Sequence, residues 1–377
     1  MKKKIAIIGA GIAGLTLANF LKKKKDFEFM IYEKNENLLL NNGFGIQLSQ
    51  NSVSILNQIG FKKIDSENIF QPQKVNFCTI ENNKICNLDL TQFNSTDSKY
   101  TTLQRSTLLN FLKDEIYTQH LRFAKQIKKI SHSQDKIIIN FMDGSNDLVD
   151  YVVAADGLFS NTRSFFENRI IKPKFKNATV IRSVISLKNI FKIDIENINL
   201  LMGSGAHIVI YPINKKNEFN LVCIIRDKEF DLKNIRLIIE KKLFPQNHNL
   251  RELFKGELSS WPLYASEKII PSNNSNVFYL GDAFHGFIPT MAQGASQSIE
   301  GSFELYNLLK ENNKNSQKLY FKKRSERANL IKKRSNLNFY AFHISHNILK
   351  KIRNIILKYI VKNRSFIRNY LGEVYKS

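Results

Sequence analysis

A glycine-rich turn near the start of the chain has the residue types and spacing that hold a pyrophosphate. It reads Gly-Ala-Gly-Ile-Ala-Gly over positions 9–14, follows an apolar run at 4–8 and leads into an apolar segment at 15–21. Glycines at a strand-to-helix turn let the backbone approach phosphate oxygens, and the helix N-terminus adds unpaired N–H groups and a positive dipole end. The pattern predicts a bound dinucleotide. The predicted contacts are Gly9, Gly11, Ala13 and Gly14.

A carboxylate follows the next predicted strand. The strand pattern at 27–32 ends in Glu33, which lies 19 residues beyond Gly14. At about this spacing a carboxylate accepts hydrogen bonds from a ribose hydroxyl group, which favours an unphosphorylated ribose such as that of FAD or NAD. We include the neighbouring Lys34 in the predicted cofactor site.

A second motif lies almost 270 residues later. Gly281-Asp282-Ala283 follows an apolar run at 276–280 that predicts a buried strand, so it is expected at the carboxyl edge of a sheet, where ligands of α/β proteins bind. A loop then leads into a helical pattern that runs to about residue 310, and its N-terminus again offers unpaired N–H groups. The further predicted cofactor contacts are Gly281, Asp282, Pro289, Gln293, Gly294 and Ala295.

Together these motifs resemble those of the FAD-dependent aromatic hydroxylases, the single-component flavoprotein monooxygenases that include salicylate and hydroxynicotinate hydroxylases. The resemblance spans nearly the whole chain and also includes residues 43–51, Gln104-Arg105, and Ala155-Asp156-Gly157 with Ser160 and Arg163. It implies that Arg105 contacts the FAD phosphates or ribitol and that Asp282 binds the ribitol. It also implies that the helix near Gln293 faces the pyrimidine end of the flavin. The remaining implied cofactor contacts are Gly45, Ile46, Asp156, Gly157 and Arg163.

The resemblance implies an α/β fold in which a discontinuous, Rossmann-like FAD-binding domain carries a β-sheet-rich substrate domain and C-terminal helices. The expected parts of the FAD-binding domain are residues 1–170 and 268–345, with 71–100 able to join the substrate sheet. Residues 171–267 are expected to form the substrate domain. Residues 346–377 are expected to form a basic amphipathic helix.

The implied activity is that of a monooxygenase. FAD is bound, NADH or NADPH visits as reductant, and O2 is used through a flavin C4a-hydroperoxide to hydroxylate a small, aromatic, anionic substrate. Three other functions stay open: an epoxidase or ubiquinone-type hydroxylase with a lipophilic substrate, a flavin dehydrogenase or oxidase, and a non-enzymatic basic binding protein. The sequence does not distinguish a monomer from a dimer.

Three polar residues are candidates for contact with the substrate. Strand alternation over 203–212 places His207 and Tyr211 on one face, and the resemblance assigns both to positions that hold or deprotonate a phenolic substrate. Gln47 lies in a loop that the resemblance places near flavin and substrate. The alternative is that His207 and Tyr211 only pack within their own domain.

The composition bears on partners and compartment. A net charge of +24 arises from 57 Lys and Arg against 33 Asp and Glu, but these charges are scattered and no nucleic-acid-binding motif accompanies them, so we expect no nucleic acid. Three cysteines without a CxxC pair indicate a reduced, cytoplasmic setting. No metal-ligand spacing stands out, so we expect no metal. No apolar run is long enough to predict a transmembrane helix.

The C-terminal segment combines two features. Apolar residues recur at helical spacing over 348–360, and basic residues lie between them. Such a stripe usually packs on its own domain, which is the prediction we favour, whereas peripheral contact with an anionic membrane is the alternative.

Overall fold

A computed structural model describes residues 2–24, 26–38, 43–133, 135–186, 193–227, 234–311 and 315–376. The strands are β1 (Lys3–Ile8), β2 (Phe27–Tyr32), β3 (Gly45–Leu48), β4 (Ile69–Phe70), β5 (Lys74–Thr79), β6 (Lys84–Asp89), β7 (Thr101–Gln104), β8 (Leu121–Arg122), β9 (Ile127–Ser133), β10 (Lys136–Phe141), β11 (Asn146–Val149), β12 (Tyr151–Ala154), β13 (Lys174–Ser186), β14 (Ile198–Gly203), β15 (Ala206–Pro212), β16 (Glu218–Arg226), β17 (Ser259–Ala265) and β18 (Val277–Tyr279). The helices are α1 (Ile12–Leu21), α2 (Gln50–Asn57), α3 (Arg105–Asp114), α4 (Asn161–Phe166), α5 (Ile235–Lys242), α6 (Gly294–Lys310), α7 (Ser316–Phe342), α8 (Asn347–Ile360), α9 (Arg364–Ile367) and α10 (Glu373–Tyr375).

A five-stranded parallel sheet forms the centre of one layer of the fold, which we call the cofactor-side layer because it carries both glycine motifs. Its order is β18-β12-β1-β2-β8, so the two parts of the chain that carry the glycine motifs meet in one sheet. The strands β1, β12 and β18 are almost entirely apolar and buried, as expected where helices cover both faces of a parallel sheet. Helix α6 lies against α1, and the Ser302 hydroxyl donates a hydrogen bond to the Ala13 carbonyl at 2.9 Å.

A second, seven-stranded sheet has the order β17-β13-β16-β15-β14-β5-β6. All its pairs are antiparallel except β14 with β5. Strands β5 and β6 come from residues 71–100 and extend this sheet at one edge. One face packs on α5 and on the 3-10 segment His248–Phe254. The other face is partly covered by the helices at the end of the chain.

Two smaller antiparallel sheets connect these layers. One has the order β11-β10-β9 and the other β3-β7-β4. The backbone N–H of Gly45 in β3 donates to the side-chain oxygen of Asn220 in β16 at 2.7 Å, which joins the cofactor-side strands to the seven-stranded sheet.

The basic segment 346–377, expected as one helix, is divided. Helix α8 ends at Ile360, and the Asn363 side chain then accepts the Phe366 N–H at 2.9 Å and caps the new helix α9. Within the described residues, no helix is long and apolar enough to cross a membrane.

The expectation that the apolar stripe of α8 packs on its own domain is wrong for most of the stripe. Ile348, Ile355 and Tyr359 are 63%, 55% and 73% exposed, whereas the buried side of the helix carries Arg353. This guanidinium is accommodated because it donates to the Ala341 carbonyl and the Asn354 side-chain oxygen, and Leu357 and Ile360 add apolar contacts with the core.

A buried ion network holds the last residues against α6 and α7. The Glu300 carboxylate accepts from Arg324 at 2.7 Å and from Arg327 at 2.8 Å. Arg327 also donates to the backbone carbonyls of Val374 and Lys376. The C-terminal helices are therefore tied to the core of the cofactor-side layer.

Candidate active site

The glycine turn after β1 has no room for a side chain at Gly9 or Gly14. Gly9 has φ +108°, and a Cβ there would lie 2.5 Å from the Ala155 carbonyl oxygen. A Cβ on Gly14 would lie 2.1 Å from the Gly9 carbonyl oxygen. These contacts bring the turn close to both the neighbouring strand end and the first turn of α1, as a pyrophosphate-binding turn requires.

Two groups around this turn suit an adenosine diphosphate moiety. Helix α1 begins without a side-chain cap and has no acidic residue in its first turn, so its N-terminus can receive phosphate oxygens. The Glu33 carboxylate accepts from the Ala10 N–H at 3.0 Å, which places it beside the turn. It also accepts from the backbone and side chain of Asn35. Lys34 is exposed next to it.

The second glycine motif closes against the first. Gly281 has φ +59°, and a Cβ there would lie 2.9 Å from the Ala13 Cβ. The next residue, Asp282, is exposed in a cleft that protein surrounds, and this enclosure raises the pKa of its carboxyl to about 6, with Arg105 opposing the shift. Burial in turn lowers the pKa of the Arg105 guanidinium, and Asp282 opposes that shift. The two groups predicted to contact the ribitol therefore lie near one another.

Asp156 and Arg163 have structural partners. The Asp156 carboxylate accepts from the Ser160 hydroxyl at 2.5 Å and from the Thr162 N–H and hydroxyl at 3.1 and 2.8 Å. Arg163 is buried and donates to the Ala283 carbonyl at 2.7 Å. Asp156 thus fixes the turn that leads into α4, Arg163 holds α4 against the second glycine motif, and Gly157, with φ +83°, lies in the turn between them.

The start of α6 opens toward the cleft. Ala292 has left-handed backbone angles of φ +52° and ψ +33°, an unfavourable conformation that often marks functional sites. Gln293 is buried, donates to the Ser49 hydroxyl and accepts from Gln297, so its side chain turns into the protein. Helix α6 has no side-chain cap, and a Cβ on Gly294 would meet nothing within 4 Å. Ala295 is partly exposed beside it, and Pro289 is exposed in the preceding loop.

These observations together test whether the residues fit FAD. The helices α1 and α6 both begin without a side-chain cap, and both pass close to Gly281, where a Cβ would lie 2.9 Å from the Ala13 Cβ in α1 and 2.9 Å from the Ser298 Oγ in α6. The Glu33 carboxylate lies beside the first glycine turn, and Arg105 and Asp282 are close enough to interact electrostatically. Ile46 in β3 is partly buried against the same core. The set fits FAD.

A cavity of about 500 Å³ lies between the seven-stranded sheet and the C-terminal helices. Apart from His207 in β15, its sheet wall is apolar and consists of Val75, Phe77, Leu88, Ile198, Leu200 and Val209. The opposite wall comes from the end of α7 and from residues 349–375, and Pro289–Met291 with Ala292 lines one part. The cavity thus adjoins the loop that leads into α6.

The polar groups of the cavity include two of the three residues predicted to contact substrate. Gln47 and His207 both line it, as does Tyr100, whose hydroxyl donates to the Gln47 side-chain oxygen at 2.7 Å. Tyr211 is buried behind them. Burial raises the pKa of Tyr211 to about 12, with Arg182 and a hydrogen bond with Gln47 opposing the shift.

His207 has a buried partner that the sequence did not reveal. Its Nδ1 lies 2.7 Å from Nε2 of His343, at the end of α7. Burial, together with the neighbouring His343, holds the pKa of His207 well below its usual value, so the ring is neutral at pH 7. Because Nδ1 is occupied, Nε2 is the nitrogen left for a ligand.

Sequence reasoning missed Tyr100, His343 and the helical wall of the cavity. Tyr100 follows a stretch rich in Asn and Ser, and His343 follows a long helix, so neither lies in a recognisable motif. Their roles arise from contacts with residues 53 and 136 positions away.

The turn after β1, Glu33 and the start of α6 define a flavin-binding protein with a doubly wound sheet. Comparison with known proteins agrees: a family model described as an FAD binding domain matches residues 2–334. The chain therefore belongs to this family.

Similar proteins include characterised monooxygenases. The 3-amino-4-hydroxybenzoate 2-monooxygenase of Streptomyces platensis is 24% identical, over 94% of this chain and 92% of that protein. The 6-hydroxynicotinate 3-monooxygenase of Bordetella bronchiseptica is 23% identical, over 89% of this chain and 91% of that protein. The crystal structure of Klebsiella pneumoniae HpxO with FAD and uric acid has a TM-score of 0.85 at 18% identity, covering 99% of this chain and 96% of that one.

These comparisons confirm three predictions: the resemblance to the FAD-dependent aromatic hydroxylases, the α/β fold, and FAD as the cofactor of an oxidoreductase. The individual site residues and the domain boundaries stay predictions.

Proposed function

We propose that the protein inserts one oxygen atom of O2 into a small aromatic substrate, with NADH or NADPH as reductant. The observation that carries this proposal is the cavity that adjoins the start of α6, with Gln47, Tyr100 and His207 among its lining. The names of the similar monooxygenases support the aromatic class. The second oxygen atom leaves as water, balanced by NAD(P)H and one proton.

The chain's own groups would hold FAD as follows. The turn at 9–14 and the N-terminus of α1 would bind the pyrophosphate, Glu33 the adenosine ribose, and Arg105 with Asp282 the ribitol. The chemistry that FAD supplies when bound is hydride acceptance from NAD(P)H and activation of O2. The N-terminus of α6 would stabilise negative charge near the ring system by roughly 0.3–2 kcal/mol.

The polar groups of the cavity would hold a ring hydroxyl. In one tautomer of the histidine pair, His343 donates to Nδ1 of His207 and Nε2 of His207 carries the proton. In the other tautomer, Nε2 of His207 is an acceptor for the hydroxyl proton of the substrate. When the substrate hydroxyl donates this hydrogen bond to His207, its oxygen gains negative charge and the aromatic ring of the substrate becomes richer in electron density. This favours attack by an electrophilic oxygen. Because the pKa of His207 is low, we assign it the role of hydrogen-bond partner rather than strong base.

The walls of the cavity bear on the rest of the substrate. Arg353 is the one charged side chain among the described lining residues, and its guanidinium already donates to Ala341 and Asn354. An anionic group, expected from the sequence, would have no other cation to meet there. We therefore propose an aromatic ring with an apolar body. Apolar walls also exclude water, which would otherwise favour release of peroxide.

The test is NADH and NADPH oxidation by the FAD-loaded protein with a panel of phenols, hydroxybenzoates and hydroxynicotinates. We expect one class to accelerate oxidation and to yield a product heavier by one oxygen atom, with label derived from ¹⁸O2. Accelerated NAD(P)H oxidation that yields only hydrogen peroxide and no labelled product would instead indicate an oxidase and contradict the proposal. A panel without any effect would contradict the aromatic class.

Cys78, Cys86 and Cys223 are all free, which supports the reduced, cytoplasmic setting expected from the sequence. Light scattering after gel filtration would decide between the monomer and the dimer.

A further inference from the structure

Helix α8 presents an apolar stripe to solvent. The stripe consists of Ile348, Leu349, Ile352, Ile355, Ile356 and Tyr359, which are 63%, 51%, 45%, 55%, 49% and 73% exposed. Their spacing of i, i+1, i+4, i+7, i+8 and i+11 places them on one face of the helix. A contiguous apolar patch of this kind on a solvent-exposed surface marks an interaction site.

The same part of the chain carries charge of one sign. Between residues 344 and 372 there are seven basic residues and no acidic residue. The basic residues are Lys350, Lys351, Arg353, Lys358, Lys362, Arg364 and Arg368. All except Arg353 and Lys350 are exposed, so the apolar stripe is bordered by positive charge. The complement of such a surface is apolar at its centre and anionic around it, as at the headgroup boundary of a bilayer with anionic lipids.

The stripe is also the rim of the cavity. Leu349, Ile352 and Ile356 line the cavity although each is about half exposed, so the cavity reaches the protein surface along the stripe. Phe366, 38% exposed at the start of α9, extends this apolar rim. An apolar molecule that enters there passes from one apolar environment to another.

We propose that this face of α8 docks on an anionic lipid bilayer and that the cavity takes a lipophilic aromatic substrate from it. The docking stands on the exposed stripe and its charged border alone, whereas the delivery of substrate rests on the proposed function. A second copy of this chain is the competing occupant of the stripe, and the experiments distinguish the two.

The first experiment is co-sedimentation of the FAD-loaded protein with vesicles. We expect binding to phosphatidylglycerol–phosphatidylcholine vesicles and at least about tenfold weaker binding to pure phosphatidylcholine vesicles, because each basic residue near an anionic surface adds to the affinity. High salt should weaken the binding to anionic vesicles. Equal binding to both vesicle types, or to neither, would overturn the proposal.

The stripe is tested with a variant that spares the cavity. Ile348, Ile355 and Tyr359 do not line the cavity, so I348S/I355S/Y359S should abolish vesicle binding and leave the hydroxylation of a small water-soluble phenol unchanged. The matched control is Y117S/M142S/I170S, which removes three other exposed apolar side chains and should bind vesicles as the wild type does. Unchanged vesicle binding by the stripe variant would overturn the proposal.

Oligomeric state separates the competing occupant. If the wild type is a dimer that I348S/I355S/Y359S converts to a monomer, and neither binds vesicles, the stripe is a subunit interface and the proposal is wrong. A wild type whose oligomeric state the variant does not change, and which binds anionic vesicles, supports it.

Delivery is tested with 4-octylphenol carried in anionic vesicles and with phenol in water. We expect I348S/I355S/Y359S to raise the apparent KM for vesicle-borne octylphenol at least about fivefold, with kcat for phenol unchanged. Failure of both phenols with vesicle binding intact contradicts the proposed function but leaves docking supported. Turnover of phenol without turnover of octylphenol overturns the delivery alone.

Discussion

His207 and His343 share a hydrogen bond between two neutral, buried rings, and each fixes the tautomer of the other. Because His343 has no place in the cavity lining, its effect on the reaction passes through the ring of His207. His343 is therefore a positioning residue, and kinetic measurements can distinguish its effect from an effect on cofactor binding.

His343→Leu should therefore lower productive hydroxylation without loss of FAD. Removal of one hydrogen bond of about 1 kcal/mol predicts a roughly fivefold lower kcat, and the fraction of NAD(P)H oxidised that yields product should fall as peroxide rises. Product and peroxide are quantified together. The control is Tyr340→Phe on the exposed side of the same helix. If the same fraction of oxidised NAD(P)H yields product in His343→Leu and in the control, the positioning role of His343 is contradicted.

Glu33 should determine affinity for the adenosine end of FAD. A hydrogen bond to a charged group contributes about 1.5–3 kcal/mol, so Glu33→Ala should weaken FAD binding roughly 10- to 100-fold. Quenching of flavin fluorescence measures the dissociation constant. Glu36→Ala, an exposed carboxylate three residues later, serves as the control. An unchanged constant in Glu33→Ala would show that another group holds the ribose.

The sequence carries more local information about the predicted cofactor side than about the predicted substrate side. Glycines and Glu33 act through local geometry, so their spacing along the chain carries the information. The partners of Gln47 and His207 are Tyr100 and His343, and these pairs form only when distant segments meet. No local pattern encodes such contacts.

At the element scale, two glycines at the start of α1 should affect folding and FAD binding differently. A Cβ on Gly14 would collide with the Gly9 carbonyl, whereas a Cβ on Gly11 would meet nothing within 4 Å. Gly14→Ala should abolish folding or lower the melting temperature strongly. Gly11→Ala should keep the melting temperature of the apoprotein but weaken FAD binding, because the methyl group projects into the open space before α1. Equal melting temperatures for the two variants would contradict this account.

Elements with a strong local pattern were predicted closely. Strand patterns at 4–8 and 27–32 correspond to β1 and β2, and the helix expected to run to about residue 310 corresponds to α6. The stripe of α8 was identified, but its surroundings were not. Helical periodicity shows which side chains share a face, yet it does not show whether protein, lipid or water covers that face. Here Leu357 and Ile360 make partly buried apolar contacts, but the most buried residue of the helix is Arg353, which the apolar pattern does not indicate.

At the scale of the whole molecule, three buried histidines link stability to pH. Burial lowers the pKa of His285 and of His343 to about 3, and the pKa of His207 also lies well below 6.5. Below pH 6.5 the unfolded chain binds protons that the folded protein does not. The free energy of unfolding should therefore fall as the pH decreases from about 6.5 toward 3, by up to about 1.4 kcal/mol per pH unit for each histidine.

Urea unfolding at pH 7.5 and pH 5 tests this linkage. His285→Gln should lose less stability than the wild type between the two pH values, because one of the three rings no longer titrates on unfolding. His248→Gln, which alters an exposed histidine, should lose as much as the wild type. A loss in His285→Gln equal to that of the wild type would contradict the prediction.

The two walls of the cavity come from segments far apart in the chain: residues 75–88 and 198–209 form one wall, and residues 337–375 form the other. During synthesis, at roughly 5–20 residues per second, residues 75–88 and 198–209 are made before residues 337–375, so the apolar face of the seven-stranded sheet exists before the helices that cover it. The family match ends at residue 334, before this closing segment. The sheet wall of the cavity, residues 75–88 and 198–209, lies inside the matched range, whereas the helical wall of residues 337–375 lies beyond it.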